Sequence, residues 1–305
     1  MQRFTTTSSD GKTTLAAYKL VPENPRGMLQ ISHGMCEYIL RYREFAQFLA
    51  SEGILVFGHD HLGHGYSAKS TRDLGFTAYG GGAEFLVEDV HNLTLKMKQE
   101  YPDLPVILFG HSMGSFVARA VLEKYSSTYQ AAILCGTAGP GMPTAFGKAV
   151  TKHMMTFLGE HFRSKMLRRV CFGSYNKNCG AGCDRNAWLT RDEDVVRAYN
   201  ADMLCKYNFT LRGYHDLFTL LDQVNREEWA TTLSKDLPVL VVSGEQDPVG
   251  DWGQGVKKVA EALLAADMRD VTLKLYPDMR HEIINEIDRE TVWTDLKEWL
   301  NQKFA

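Results

Sequence analysis

Short apolar runs rich in β-branched residues alternate with longer amphipathic stretches along most of the chain. The runs predict buried strands at 27–33, 54–60, 106–110, 131–136, 239–244 and 271–276. The stretches between them predict helices at 41–51, 84–101, 113–125, 254–265 and 290–303. Strands that are apolar on both faces and alternate with helices are typical of a parallel sheet covered on both sides. The pattern therefore predicts an α/β fold with a mostly parallel sheet flanked by helices.

The alternation of strands and helices breaks between about residues 139 and 229. This stretch has the pattern of helices and loops without a buried strand, and the alternation then resumes. One α/β domain with an insertion explains that order better than two tandem domains. We therefore predict a core formed by 1–139 and 230–305 and a helical cap formed by 140–229.

The composition excludes several classes of protein. The chain has 305 residues, of which 44% are hydrophobic and 23% charged, as in an ordinary globular protein. Its net charge of −3 argues against a protein that binds nucleic acid over its whole surface. No apolar run approaches the roughly 18–20 residues of a membrane-spanning helix, and the first residues lack the apolar segment of a secretory signal. We expect a cytoplasmic protein whose six cysteines are free thiols.

A Gly-x-Ser-x-Gly motif lies where the third predicted strand meets a helix, with the sequence Gly110-His111-Ser112-Met113-Gly114. A nucleophile on such a sharp turn needs small residues two positions on either side, because larger side chains would collide with the turn and the adjoining strand. The turn would expose the Ser112 hydroxyl at the carboxyl edge of the sheet, beside a helix N-terminus. Ser112 is therefore the predicted nucleophile. The alternative is a Gly-rich turn with a structural serine.

A nucleophilic serine requires a base and a carboxylate that orients the base. For this type of turn the expected chain order is serine, acid, histidine. Asp247 lies just past the fifth predicted strand, and His281 ends the short loop after the sixth. Both therefore fall on the sheet edge that carries Ser112, which predicts a catalytic triad of the three residues. Glu245 is the competing acid.

Attack on a carbonyl group also requires two N–H donors for the developing oxyanion. One is expected from Met113, the residue after the nucleophile. The other is expected from a loop after an early strand, and the segment that runs through His33-Gly34-Met35-Cys36 occupies that position.

These segments together resemble the α/β-hydrolases of the monoacylglycerol lipase and lysophospholipase group, the serine aminopeptidase-like hydrolases. The resemblance covers nearly the whole chain. The matching motifs are His-Gly-Met-Cys-Glu at 33–37 with Arg-Tyr at 41–42, Asp-His-Leu-Gly-His-Gly-Tyr-Ser at 60–67, the turn at 110–114, and His-Glu-Ile-Ile-Asn-Glu at 281–286. The resemblance implies an α/β-hydrolase fold, Met35 N–H as the second oxyanion donor, and a Glu37–Arg41 pair that braces the loop containing His33 and Gly34.

The resemblance also implies the activity. The expected protein is a serine hydrolase that cleaves carboxylic esters of a lipid-like substrate, either a monoacylglycerol or a lysophospholipid, through an acyl-enzyme. Neither a metal nor an organic cofactor is required. The alternatives are a small-ester carboxylesterase, an aminopeptidase for N-terminal proline or hydrophobic residues, and a non-catalytic binding module. An aminopeptidase would need acidic side chains in the cap to hold a free amine, and the candidates are Glu160, Asp192, Glu193 and Asp194.

Two other groups of residues could suggest a metal site. His59, His61 and His64 surround Asp60, but they lie in a Gly-rich turn and do not follow the His-x-His-x-Asp-His order of metallohydrolases, so a structural turn is expected. The cysteines at 171, 179, 183 and 205 have the wrong spacing for zinc. We therefore predict no metal site.

The predicted cap carries an apolar stripe and an excess of positive charge. The cap stripe repeats every fourth residue and consists of Phe146, Val150, Met154, Leu158, Phe162, Met166 and Val170. Segment 144–170 also contains six Lys or Arg residues against a single Glu, in a chain of net charge −3. One interpretation is that the stripe packs on the core beneath a solvated basic face. The other is an amphipathic lid that makes peripheral contact with the inner membrane surface and delivers acyl chains to Ser112.

Overall fold

The computed structural model describes residues 1–141 and 143–304. Met142, in the predicted cap, and Ala305, at the end of the predicted core, lie outside the described residues. The strands are β1 Gln2–Thr7, β2 Thr14–Leu20, β3 Gly27–Ser32, β4 Ile54–His59, β5 Val106–His111, β6 Ala131–Cys135, β7 Val239–Gly244 and β8 Val271–Tyr276. The helices are α1 Arg43–Ser51, α2 Gly82–Glu100, α3 Met113–Tyr125, α4 Thr144–Leu158, α5 Lys165–Phe172, α6 Glu193–Ala201, α7 Leu211–Val224, α8 Gln254–Ala265 and α9 Arg289–Lys303.

The strands form one sheet in the order β1-β2-β4-β3-β5-β6-β7-β8. Every pair from β4 to β8 is parallel, whereas β1 pairs antiparallel with β2, and β2 pairs antiparallel with β4. The prediction of a mostly parallel α/β sheet is confirmed. The parallel strands end at one edge, and that edge carries the loops after β3, β5, β7 and β8.

Both faces of the sheet are buried, as the continuous apolar runs predict. Neighbouring residues of β5 point in opposite directions: Leu108 packs with α2, α3, α7 and α8, while Ile107 and Phe109 pack with α1 and α9. The edge strand β8 is an exception to the prediction. Most of its residues are half-buried or exposed, because it has a neighbouring strand on one side only.

The predicted strand boundaries agree with the structure to within one residue, but the first helix and the first two strands do not. The predicted helix 41–51 is a short 3-10 turn, Ile39–Tyr42, followed by α1. The antiparallel strands β1 and β2 were not predicted. The six residues of β1 include no fully buried side chain, so the strand lacks the apolar run by which the others were recognised.

The described residues between β6 and β7 contain α4 to α7 and no strand. Helix α7 is the most buried of the four and packs on α2 and α3 of the core. Helix α4 packs on α7 in turn. Gly147 lies so close to α7 that an added Cβ would be 2.8 Å from the Phe218 ring. The helices of this segment therefore form a layer over the carboxyl edge of the sheet.

The interpretation in which the cap stripe packs on the core is wrong for most of the stripe, although Met154 is half-buried against the core. Helix α4 ends at Leu158 and α5 begins at Lys165, so the stripe does not continue along one helix. Of the stripe, Phe146, Leu158, Phe162, Met166 and Val170 are exposed, Val170 to 75%. Within the described residues, none of the helices is both long enough and apolar enough to cross a bilayer.

Candidate active site

Ser112 lies on the sharp turn between β5 and α3. Its backbone adopts φ 54° and ψ −124°, a conformation that L-residues rarely adopt and that is typical of strained functional positions. The turn requires glycine on both sides. A Cβ at Gly110 would lie 2.7 Å from the Ala118 Cβ, and one at Gly114 would lie 2.0 Å from the Ser32 carbonyl oxygen. The motif therefore has the local geometry of a nucleophile turn.

Asp247 and His281 meet at the same edge of the sheet. The His281 Nδ1 atom lies 2.9 Å from Asp247 Oδ1 and 3.0 Å from Oδ2, and both side chains are buried. Asp247 also accepts hydrogen bonds from the Ser243 hydroxyl, at 2.8 Å, and from the Val249 N–H, at 2.9 Å. The competing acid, Glu245, is exposed and makes no contact with His281.

The protonation states follow from these contacts. Burial acts to raise the pKa of Asp247, but the neighbouring His281 and the two other donors outweigh it and hold the pKa below 3.8. An ionised Asp247 accepts the Nδ1–H of His281, which leaves Nε2 without its proton and able to act as a base. Ser112 and His281 line one cavity. Within the described residues the Ser112 hydroxyl donates no hydrogen bond, as is common before substrate binds.

Met113 directly follows Ser112, and the loop that contains Met35 passes close to Ser112. A Cβ at Gly34 would be 3.0 Å from the Ser112 Cβ, so the loop after β3 passes directly over the turn. The first N–H of a helix has no intrahelical acceptor, which applies to Met113. Neither this group nor the Met35 N–H donates a hydrogen bond within residues 1–141 and 143–304. Cys36, with φ 56°, turns the chain sharply after Met35.

A buried network of charged groups joins the loop after β3, the Ser112 turn and the His281 loop. Glu37 accepts hydrogen bonds from the Gly34 N–H, from the Tyr42 hydroxyl at 2.8 Å and from His111 Nδ1 at 3.0 Å. The predicted pair of Glu37 with Arg41 is present at 2.9 Å. Arg41 also binds both carboxylate oxygens of Glu282, each at 2.7 Å.

Contacts within the network shift the pKa values of its members against the effect of burial. Burial acts to lower the pKa of His111, but the hydrogen bond and charge of Glu37 raise it above 6.5. Burial acts in the opposite direction on Glu37 and Glu282, whose pKa values are nevertheless lowered by His111 and Arg41 respectively. The two carboxylates are therefore held by Arg41 and by a histidine whose protonated form Glu37 favours. Sequence reasoning missed Glu282, and its position directly after His281 was the available signal.

His33 supports the same loop from below as a neutral imidazole. Its Nδ1 lies 2.8 Å from the Gly34 carbonyl oxygen, to which it donates, and its Nε2 accepts the His61 N–H at 3.0 Å. Burial lowers the pKa of His33 to about 3, and those of His59 and His64 to about 4. We call these three residues and His61 the histidine group. Within the described residues, no set of three His, Cys, Asp or Glu side chains is arranged to hold a metal ion.

Ser112 and His281 open onto a cavity of about 570 Å³ between the core and the cap. Part of its wall is apolar and comes from α3, α7 and the loop after β7, including Phe116, Leu217, Phe218, Leu221 and Val249. The cap also contacts the His281 loop. The Trp188 ring lies 5.1 Å from the His281 ring, and the Leu189 carbonyl accepts the Glu282 N–H at 2.6 Å.

The family model described as "Serine aminopeptidase, S33" matches residues 23–288. The chain belongs to this family. It is 31% identical over 283 residues to a monoacylglycerol lipase of Mycolicibacterium smegmatis, covering 91% of this chain and 89% of the relative. It is 26% identical over 304 residues to the human monoglyceride lipase, covering 98% and 90% of the two chains.

A solved structure gives the same result for the fold. The thermostable carboxyl esterase of Bacillus coagulans, in complex with glycerol, matches with a TM-score of 0.93 and 28% identity, over 100% of this chain and 99% of the esterase. The predicted α/β-hydrolase fold and the resemblance to the monoacylglycerol lipase group are confirmed. The prediction of a carboxylic ester hydrolase is confirmed at the level of enzyme class.

Proposed function

We propose that this S33 hydrolase cleaves single-chain lipid esters, monoacylglycerols or lysophospholipids, with Ser112, His281 and Asp247 as its catalytic triad. Ser112 Oγ attacks the ester carbonyl carbon as His281 Nε2 takes the hydroxyl proton. The N–H groups of Met35 and Met113 hold the oxyanion, and His281 gives the proton to the leaving alcohol. Water then attacks the acyl-enzyme through the same base, which releases the fatty acid and restores Ser112.

The observation that carries this proposal is that Ser112 and His281 line one cavity while His281 is hydrogen-bonded to the buried Asp247. The cavity, with a volume of about 570 Å³ and a partly apolar wall, has room for an acyl chain. Each CH₂ group buried there contributes about 0.8 kcal/mol to binding. The names of the relatives from Mycolicibacterium smegmatis and human point to monoacylglycerols, the first of the two proposed substrate classes.

An aminopeptidase would need a free carboxylate near Ser112 to hold the substrate amine. The acidic candidates in the cap do not line the cavity, and Glu160 is bound to Arg212 while Asp192 caps α6. Among the described residues, the acids that do line it are Glu37 and Glu282, and both are held by Arg41 and His111. This arrangement favours an uncharged ester over a free amine.

Hydrolysis of a substrate panel tests the proposed function. The panel contains short and long p-nitrophenyl esters, a 1-monoacylglycerol, a lysophospholipid and a prolyl amide. We expect the long single-chain esters to give the highest kcat/KM, because their chains fill the apolar part of the cavity. Activity confined to short esters would instead indicate a small-ester carboxylesterase, and turnover of the amide alone would indicate a peptidase.

We further propose that the cap makes peripheral contact with an anionic membrane surface. The exposed apolar side chains of α4 and α5 support this proposal, among them Phe157 at 74% and Met166 at 64% exposure. They lie beside basic residues of the same helices, including Lys152 and Arg169. An exposed apolar face with flanking cations is typical of helices that lie in the membrane interface. The cytoplasmic location stays a prediction.

Sedimentation with vesicles tests the membrane contact. We expect binding to vesicles that contain anionic lipid, weaker binding to neutral vesicles, and release at about 1 M salt, where the Debye length falls to ~3 Å. The double variant Lys152→Glu/Phe157→Ser should bind less tightly than the wild type. Binding that responds neither to salt nor to these substitutions would rule the contact out.

A further inference from the structure

Part of the wall of the cavity beside Ser112 carries positive charge. Five cationic side chains contribute to its wall, and all of them come from the segment between β6 and β7: Lys165, Arg168, Arg169, Arg185 and Lys206. Within the described residues, none of the five makes an ion pair, and none donates a side-chain hydrogen bond. The acids in the wall, Glu37 and Glu282, are already paired with Arg41 and His111.

Other arginines of the cap have a structural role, since their guanidinium groups are bound by protein acceptors. Arg163 donates to the carbonyl oxygens of Asn208, Arg72 and Leu74. Arg212 binds both carboxylate oxygens of Glu160 at 2.9 Å. Arg168, one helical turn after the start of α5, is half-buried and has no such contacts. A half-buried guanidinium pays a desolvation cost that an anionic ligand would offset.

Among the five cations, Arg168 is the one whose charge acts on two buried groups of the cavity wall, Cys36 and Tyr214. Burial raises the pKa of the Cys36 thiol to about 12, and Arg168 is the strongest influence against that rise. Arg168 opposes the raised pKa of Tyr214 in the same way. Cys36 directly follows Met35, so the positive charge of Arg168 also acts on the predicted oxyanion loop.

The cavity wall therefore has an apolar part, formed by α3 and α7, and a cationic part, formed by α5 and the segments around residues 185 and 206. We propose that the site selects single-chain esters with an anionic headgroup, of the phosphate-monoester or phosphodiester type, and that Arg168 is the main residue that determines this preference. The acyl chain lies along the apolar part and the headgroup binds the cationic part. This inference rests on the proposed function and specifies its substrate class.

Monomeric substrates test the inference without a membrane surface. The two probes are 1-octanoylglycerol 3-phosphate and 1-octanoylglycerol, both used below the concentration at which they aggregate. We expect the wild type to have the higher kcat/KM for the phosphate ester, and about 1 M salt to remove that advantage. Arg168→Gln should raise KM for the phosphate ester by about tenfold or more, the usual effect of losing a charged hydrogen bond, and leave the neutral ester unaffected.

Two further variants separate position from charge. Arg168→Lys keeps the charge and should retain part of the preference. Lys152→Gln removes a cation from α4 that does not line this cavity, and should leave both KM values unchanged. Equal kinetics on the two esters, or an equal effect of Lys152→Gln and Arg168→Gln, would overturn the inference while leaving ester hydrolysis in place. If the wild type hydrolysed neither of the two esters, the proposed function would be overturned together with this inference.

Competition experiments distinguish a headgroup subsite from a site for free anions. Glycerol 3-phosphate should inhibit hydrolysis of 1-octanoylglycerol by the wild type and inhibit Arg168→Gln less. Inorganic phosphate should inhibit more weakly, because it lacks the glycerol part. Inhibition by inorganic phosphate that equals that of glycerol 3-phosphate would contradict the subsite, since it would show that the cations hold any small anion.

Discussion

Replacement of Ser112 by alanine is expected to lower kcat on a long-chain ester by a factor on the order of 10⁶. Alanine fits the turn because it keeps a Cβ and removes only the hydroxyl. The N–H groups of Met35 and Met113 and the apolar wall would remain, so the variant should still bind ester and retain a residual rate above that in water. Steady-state hydrolysis of a long p-nitrophenyl ester measures the loss.

Labelling with a fluorophosphonate provides the control. The wild type should be labelled at Ser112, and Ser112→Ala should not be labelled at all. The matched variant Ser174→Ala removes an exposed serine of the cap and should retain both labelling and activity. Retention of a substantial rate in Ser112→Ala would exclude Ser112 as the nucleophile and revive the interpretation of a structural turn.

Replacement of Asp247 by asparagine is expected to lower kcat by about 10⁴ while the fold is preserved. The Ser243 hydroxyl and the Val249 N–H both donate to the carboxylate of Asp247. An asparagine would direct its oxygen toward these donors and its amide N–H₂ toward His281. The imidazole would then accept at Nδ1 and carry its proton on Nε2, where a base is required.

The matched control is Glu245→Gln, which removes a carboxylate two residues earlier in the same loop. Glu245 is exposed, so this variant should have near wild-type kinetics. Circular dichroism of both variants checks that the fold is unchanged. If kcat fell as much in Glu245→Gln as in Asp247→Asn, the assignment of Asp247 as the acid of the triad would be wrong. Nearly full activity in Asp247→Asn would show that Asp247 has no part in the mechanism.

The parallel part of the fold could be predicted because all of its strands except the edge strand β8 are buried on both faces. β5, for example, is apolar from Val106 to Phe109 and ends at His111, directly before Ser112. β1 could not be predicted in this way, because it is Thr-rich, lies at the sheet edge and contains no buried residue. Its pairing with β2 is a property of the sheet and not of a local pattern.

The candidate site also contains residues that could be predicted from local patterns and contacts that could not. Ser112, Asp247 and His281 could be placed because each follows a strand in the expected order. Glu37 contacts His111 and is linked through Arg41 to Glu282, which lies 245 residues later in the chain. Contacts over such distances leave no local periodicity in the sequence, so they could not be predicted. In the cap, the spacing of the stripe indicates a helical face, but spacing alone does not say whether core or solvent covers that face.

The histidine group beneath the loop after β3 couples folding of this region to proton release. An unfolded histidine is protonated below about pH 6.5, whereas His33, His59 and His64 remain neutral in the folded protein down to about pH 3–4. The contribution of these imidazoles to the free energy of unfolding is therefore complete above pH 6.5 and falls as acid is added.

Asp60, in the same turn, has a pKa raised to about 6 by burial and acts in the opposite direction, but the imidazoles outnumber it. The lowered pKa of Asp247 keeps its charge over this range. Mild acid consequently weakens the support of the loop that carries Met35 before it discharges the carboxylate of the predicted triad. We therefore expect the fold around this loop to be destabilised at a higher pH than that at which Asp247 loses its charge.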